Sequence, residues 1–393
     1  MRAIAVVLLV VAGLQEKKQP RYKDVERMLP AYFASAPGKP REAILEKMRK
    51  AGLDGIVLTK AEAQAVERMA LAGNPMLATR KGGDYTIQVD VGRKADVHVH
   101  VPGGWKPQTP APLVIALHGG SAETTTAQGS SKAGRDEMSY WSGACDSIKA
   151  FCVGPSTTGF WSDKAGLEAI WKSIEHARDN FNIDPNRIAV VGHSMGGFGI
   201  FDFGPDHADR FALAAPFVGG ADATSKLKNC RALPFYIVIG TNDPMKYINE
   251  ACRKNAKFLE DLKYDVTFRE RTDQGHDVIA DEFPAVMAKL QKSPRDLYAR
   301  KLTRVRGAGR WYWVESDGAV EAAIEKNTIT IEGSAGAVYV SDRMLDLDQP
   351  VKVVAGGETK FEGKVERKLA FMLAHLDETG DRGRVFANRV ELK

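Results

Sequence analysis

The sequence predicts an α/β chain: a mostly parallel sheet with helices on both faces, followed by a small β-rich C-terminal domain. Three observations predict it. Short, continuous apolar stretches recur at 113–117, 151–153, 188–191, 211–215, 235–239 and 266–269. Between them, apolar residues return at helical spacing, as in Leu167, Ile170, Trp171, Ile174 and Phe181, and more loosely in Ile248, Cys252, Leu259 and Leu262. After about Arg306 the pattern turns to short strands divided by Gly and Asp. Strands that are apolar throughout are buried on both faces, so helices must cover the sheet above and below. In such sheets ligands bind at the carboxyl ends of the strands.

A chain of 393 residues exceeds one ordinary domain and can bury a large core around a main domain with appendages. Its net charge of +5 is spread among alternating acidic and basic residues, which gives no reason to expect a nucleic-acid partner. Arg2 precedes an apolar run over 3–14 that is too short to span a bilayer. The run fits the charged and apolar regions of a secretory signal, with small residues at Ala12 and Gly13 near a cleavage point. The expectation is a signal peptide over 1–14, a secreted or periplasmic protein, and no stable membrane span in the mature chain. Cys145, Cys152, Cys230 and Cys252 permit two disulfides, most simply 145 with 152 and 230 with 252, or four buried free thiols.

Residues 15–82 are charged and helix-prone, broken by Pro30, Pro37 and Pro40, with Ile44, Leu45 and Met48 on a modest apolar face. They read as a helical N-terminal extension. Over 83–300 lies the main domain. It opens with a hairpin in which Tyr85, Ile87, Val89 and Val91, then Val97, Val99 and Val101, alternate with polar residues around Gly92 and Arg93. His98 and His100, two apart, read as the wet face of a strand in preference to a metal pair. The β-rich domain occupies 306–393, with strands expected at 311–314, 328–331, 337–340, 351–354 and 385–390. One helix there carries Leu369, Met372, Leu373 and Leu376 on one face.

The chemistry-bearing stretch is Gly192-His193-Ser194-Met195-Gly196, a G-x-S-x-G sequence directly after a strand and opening a helix. Side chains two before and two after the serine would clash in so sharp a turn. A serine hydroxyl needs a base, and the base needs a carboxylate to fix its tautomer. Asp243 in GTNDPM and His276 in DQGHDV each follow a strand, in the chain order Ser, Asp, His. Asp273 and Asp277 flank the histidine too closely to serve as the acid, and Asp222 is a weaker rival. Leu117 is followed by His118-Gly119-Gly120, whose backbone N–H groups are free at a strand end. Gly120 and Met195 are the expected oxyanion donors, and His118 shapes the loop. Trp161, in PSTTGFW, either stacks on a substrate ring at the cleft rim or packs in the core. His193 is kept as a second cleft candidate beside a structural reading, since its side chain points away from the hydroxyl.

LVIALHGG, NIDPNRIAVVGHSMGG, DRFALAAPFVGG, IGTNDP and QGHDV resemble the α/β-hydrolase superfamily over about 84–292. Within it the likeness is to secreted bacterial esterases related to polyhydroxybutyrate depolymerases and feruloyl esterases, with some likeness to the catalytic domain of prolyl oligopeptidases. The resemblance implies an α/β-hydrolase fold and ester hydrolysis through an acyl-enzyme, with no metal or organic cofactor. The N-terminal helices and C-terminal domain depart from it. A peptidase of the prolyl oligopeptidase type is the alternative, disfavoured because about eighty residues before the main domain are too few for that family's propeller. A non-catalytic binding protein is further off, because all three triad positions are filled. Residues 221–232 leave no room for a large lid, so an open cleft for bulky or polymer-linked esters is expected.

Overall fold

The computed structural model describes residues 21–35, 38–74 and 82–392, and the apolar run 3–14 with its expected signal lies outside them. The helices that matter below are α1 (Lys39–Lys50), α2 (Lys60–Ala72), α3 (Ala127–Ser147), α4 (Lys164–Asn180), α5 (Met195–Phe203), α6 (Lys246–Asp261), α7 (Phe283–Lys292) and α8 (Leu369–Thr379). Among the described residues no helix is long and apolar enough to cross a membrane.

Period-two alternation produces the hairpin β1 (Gly83–Asp90) and β2 (Lys94–Val101). With β3 (Ala111–Leu117), β4 (Phe151–Pro155), β5 (Ile183–His193), β6 (Leu213–Phe217), β7 (Phe235–Gly240) and β8 (Val266–Arg271) it forms an eight-stranded sheet of order β1-β2-β4-β3-β5-β6-β7-β8. β2 is antiparallel to both neighbours and all other pairs are parallel. On β3, Leu113, Ile115 and Leu117 join Ile170 of α4, Ile200 of α5 and Ile248 of α6 in one apolar cluster. Val114 and Ala116, on the other face, join Trp141 of α3 and Met287 of α7. This is the α/β-hydrolase arrangement, with both sheet faces covered. His98 and His100 face polar partners, with His98 bonded to Thr86 and Ser131 and His100 to Asp84.

The order in which strands are added reverses at β3. The chain leaves β3 through α3 to reach β4 on one side, then crosses back through α4 to β5 on the other. The ends of β3 and β5 are adjacent, with Leu117 and Gly192 register partners. At such a reversal the connections part and a crevice opens beyond the strand ends.

α3 was not expected from the sequence. Its buried face is Ser130, Gly134, Glu137, Met138, Trp141 and Cys145, too mixed to show an apolar period. The helix docks by backbone approach instead: a Cβ on Gly134 would stand 2.7 Å from the Pro155 carbonyl oxygen. The four cysteines are free and buried, so the disulfides admitted by their even number are not formed. Burial pushes the Cys252 thiol up to about 12, which keeps it protonated.

A second sheet contains β9 (Lys301–Arg304), β10 (Gly309–Trp311), β11 (Val314–Glu325), β12 (Thr328–Val340), β13 (Val351–Ala355), β14 (Glu358–Gly363) and β15 (Asn388–Glu391). The stretch 311–314, expected as a strand, contains the turn between β10 and β11, with Tyr312 at φ 51°. The expected strands 328–331 and 337–340 are the two ends of β12, whose pairing with β11 shifts register near Gly333. The N-terminal and C-terminal helices of the described residues share one core: Leu29, Tyr32, Met48 and Val66 pack with Leu369, Met372 and Leu373 of α8. The short strand Val57–Leu58 pairs antiparallel with Arg367–Lys368.

Buried ion pairs fasten the C-terminal segment to the hydrolase sheet. Asp381 takes both ends of the Arg295 guanidinium, at 2.7 and 2.9 Å, and Arg384 meets Asp209 at 2.6 Å. Despite burial, the surrounding arginines hold the Asp381 carboxyl well below the usual carboxylate range. Removing one partner of a buried pair leaves the other charge uncompensated. Asp381→Asn is therefore expected to cost about 3–5 kcal/mol in urea unfolding. Glu270→Gln, which breaks the exposed pair with Arg253, should cost less than about 1 kcal/mol.

Candidate active site

β5 delivers Ser194 into the crevice on a strained turn, with φ 52° and ψ −113°. The flanking glycines are required by contact. A Cβ on Gly196 would lie 2.1 Å from the Leu117 carbonyl oxygen, and one on Gly192 would lie 2.8 Å from the backbone of Gly196. Ser194 N–H donates to the Phe217 carbonyl at 2.9 Å, and the Ser194 carbonyl accepts from Phe198 at 3.0 Å as α5 begins.

Ser194 Oγ lies 2.8 Å from His276 Nε2, and His276 Nδ1 lies 2.6 Å from Asp243 Oδ2. An ionised carboxylate can only accept, so Nδ1 carries the proton and the bare Nε2 faces the hydroxyl. The carboxyl group of Asp243 is fully buried, and its other oxygen accepts from Met245 N–H at 2.8 Å. The loops that carry Asp243 and His276 are tied by backbone bonds, Thr241 to Arg271 and Asn242 to Gln274, each 2.9 Å. Asn249 of α6 donates to the Gly240 carbonyl at 2.9 Å and fixes the end of β7. Sequence reasoning gave Asn249 no part, because nothing in a helical Asn distinguishes this contact.

Gly120 and Met195 are neighbours: a Cβ on Gly120 would come 3.0 Å from Met195 Sδ. Met195 is the first residue of α5, so its N–H has no acceptor within the helix. His118 is buried and its ring is held neutral by desolvation. Its Nδ1 donates to the Gly119 carbonyl at 2.7 Å, which leaves Nε2 to accept from Thr157 N–H at 3.3 Å.

The crevice is a cleft of ≈640 Å³ whose wall includes Ser194, Gly120 and Met195. Trp161 also lines it but is wholly buried, donating Nε1–H to the His118 carbonyl at 3.0 Å. The neighbouring Phe160 stands 66% exposed, and Tyr247 stands 59% exposed across the same cleft. Exposure cannot be read from a loop sequence, and neither aromatic was anticipated. His193 is outside the cleft wall; its ring packs 5.4 Å from that of His276, and burial lowers it to about 4, so it is neutral near pH 7. Asp222 lines the cleft, bonded to Lys254 at 2.6 Å and to Thr224, and these bonds hold it down at about 2. Asp273 lies 3.5 Å from Arg271, and Asp277 accepts from Gly275 N–H.

No family model matches the chain. It is 27% identical over 165 residues to a bifunctional acetylxylan esterase/xylanase of Neocallimastix patriciarum, covering 41% of this chain and 23% of the relative. It is 32% identical over 136 residues to poly(3-hydroxyalkanoate) depolymerase C of Paucimonas lemoignei, covering 31% of this chain and 30% of the relative. The chain thus spans less than a third of the length of these curated relatives. A solved thermostable esterase is 24% identical, with a TM-score of 0.47 over 55% of this chain and 64% of that one. The sheet order and the serine turn at the switch between β3 and β5 give the chain an α/β-hydrolase fold, and the curated relatives it is similar to are an esterase/xylanase and a depolymerase.

Proposed function

We propose that the protein is a serine carboxylic-ester hydrolase working through an acyl-enzyme, with Ser194, His276 and Asp243 as its triad. The observation that carries this reading is the His276 ring hydrogen-bonded at once to the serine hydroxyl and to a buried carboxylate. Ser194 Oγ attacks the ester carbonyl carbon as Nε2 takes its proton, and Asp243 stabilises the imidazolium. The carbonyl oxygen gains the charge, opposite the N–H groups of Gly120 and Met195. Nε2 then protonates the leaving alkoxide, and a water deprotonated by the same nitrogen releases the acid from Ser194. None of these steps calls on a metal or an organic cofactor.

The substrate in this reading is a bulky or polymer-linked ester, in line with the names of the two curated relatives. The short segment between β6 and β7 leaves the cleft open. Phe160 and Tyr247, solvent-facing on its rim, suit a ring-bearing substrate that covers them. Handling of such substrates outside the cell agrees with the expected signal.

A fluorophosphonate should attach to the Ser194 peptide alone, read by mass spectrometry of the digest; labelling elsewhere counts against the assignment. Asp243→Asn should lower turnover of a nitrophenyl ester by about 10⁴-fold, by analogy with the serine-protease case. His276→Ala should lose at least as much. Phe160→Ala and Tyr247→Ala should raise KM for a ring-bearing ester by roughly three- to tenfold. Hydrolysis of ethyl acetate should be little changed, and equal effects on both esters would remove the rim from substrate binding.

A further inference from the structure

A second cavity, of ≈790 Å³, opens where the N-terminal helices, the latter part of α4 and the segment after α8 meet. Its wall carries six arginines: Arg41, Arg178, Arg210, Arg310, Arg382 and Arg384. It also carries acids, but ion pairing uses them unevenly. Arg41, Arg310 and Arg384 are matched by Asp377, Glu378 and Asp209 at 2.8, 2.8 and 2.6 Å. Asp381 is occupied by Arg295 and leaves Arg178 at 3.7 Å. Arg382 bonds to Asn182 and to the Ile183 carbonyl, and Arg210 lies 4.9 Å over the Trp171 ring. Of the remaining acids, Glu175 faces Lys172 at 3.7 Å, and Asp179 lies near Arg178 and Arg41 without a close ion pair to either.

The wall sets six carboxylates against these six guanidinium groups, but Arg295 takes Asp381 from outside it, and Arg178, Arg210 and Arg382 have no carboxylate at hydrogen-bond distance. Five guanidinium nitrogens of the wall, Nε of Arg41, Arg178 and Arg310 and Nη1 of Arg382 and Arg384, are buried without a hydrogen-bond partner. Burial and the neighbouring Arg178 and Arg41 push Arg382 down to about 10. Arg178 is lowered too, by burial, against the opposing pull of Asp381. A pocket of forked, always-charged donors selects planar or tetrahedral oxyanions.

We propose that this cavity binds a small multivalent oxyanion, phosphate or a polycarboxylate, through Arg178, Arg210 and Arg382. α4 begins just after Phe160 and Trp161 at the serine cleft and lines the cavity from Trp171 to Asp179, so Arg178, about fifteen residues along at 1.5 Å each, stands roughly 20 Å from the start of the helix. The anion would not compete for the ester site. It would bridge the N-terminal helices, the hydrolase sheet and the C-terminal segment, all of which contribute to the wall.

The test is isothermal titration calorimetry of the full chain at low ionic strength with sodium phosphate and with sodium citrate, each against sodium chloride of matched ionic strength. One saturable site for at least one of the two anions is expected, with a raised thermal midpoint. Phosphate alone would mark a tetrahedral ligand, citrate alone a polycarboxylate, and both a site read by charge. Arg210→Gln and Arg382→Gln should each weaken binding by roughly tenfold or more, as for a lost hydrogen bond to a charged group. Arg269→Gln, on the exposed side of β8, should leave it unchanged. Arg210 is exposed, so its variant decides the matter even if Arg382→Gln fails to fold. No saturable binding of either anion, or full affinity in Arg210→Gln, overturns the proposal. Binding is read without ester turnover, so it stands or falls separately from the ester-hydrolase reading.

Discussion

The site depends on one close approach: the backbone of α5 at Gly196 lies against the end of β3 at Leu117, where any side chain would collide. That contact lets the chain turn from β5 into α5 in so few residues, and the turn holds Ser194 at φ 52°. A backbone in so sparsely populated a region costs of the order of 1–3 kcal/mol and persists only where the surroundings over-determine it. Here they do. The serine N–H is fixed to β6, its carbonyl starts α5, and a Cβ on Gly219 would stand 2.0 Å from that same carbonyl oxygen. The strain is local, and its consequence is a hydroxyl standing clear of its own strand and free to meet a histidine from another loop.

The same geometry explains why the remaining groups converge. β3, β5, β7 and β8 end on one edge of the sheet, so short loops from each suffice to bring Gly120, Ser194, Asp243 and His276 together. The His276 loop needs separate support, because β8 is the outermost strand. It obtains that support from the Asp243 loop through the bonds between Thr241 and Arg271 and between Asn242 and Gln274. A Cβ on Gly240 would lie 2.2 Å from the Gly275 carbonyl oxygen, so the two loops are pressed together at backbone distance.

What the sequence made legible is what backbone geometry imposes on residue type at fixed spacing. The glycines around Ser194 had to be there, and Asp243 and His276 stand out because each follows an apolar strand. Strands apolar throughout betrayed their burial, and the hairpin betrayed itself by alternation. Features set by partners distant in the chain were hidden. α3 is buried on Gly134, Ser130 and Glu137, which look polar or featureless until β4 is placed against them. In the second sheet, β11 and β12 run through Asp, Gly and Ser without breaking, because their long antiparallel pairing and register shifts absorb residues that usually end a strand. The common core of the N-terminal and C-terminal helices joins segments some three hundred residues apart, which no local pattern could announce.

Trp161 shows how the two classes of information interact. A tryptophan on the loop after β4 belongs near the cleft, and it does line the wall, yet its ring works as a buttress. Its indole N–H holds the His118 carbonyl, and its Cβ faces Gly199 of α5, where an added Cβ would lie only 2.5 Å away. The indole thus links the loop of the expected oxyanion donors to the helix that follows the serine, and neither can shift without disturbing it. Occupied in this way, Trp161 has no free face for a substrate. One residue earlier the same loop turns outward, and Phe160 takes the solvent-facing position for which its neighbour seemed fitted. A loop sequence places both aromatics near the cleft, but only the packing of α5 decides which of them is structure and which is surface.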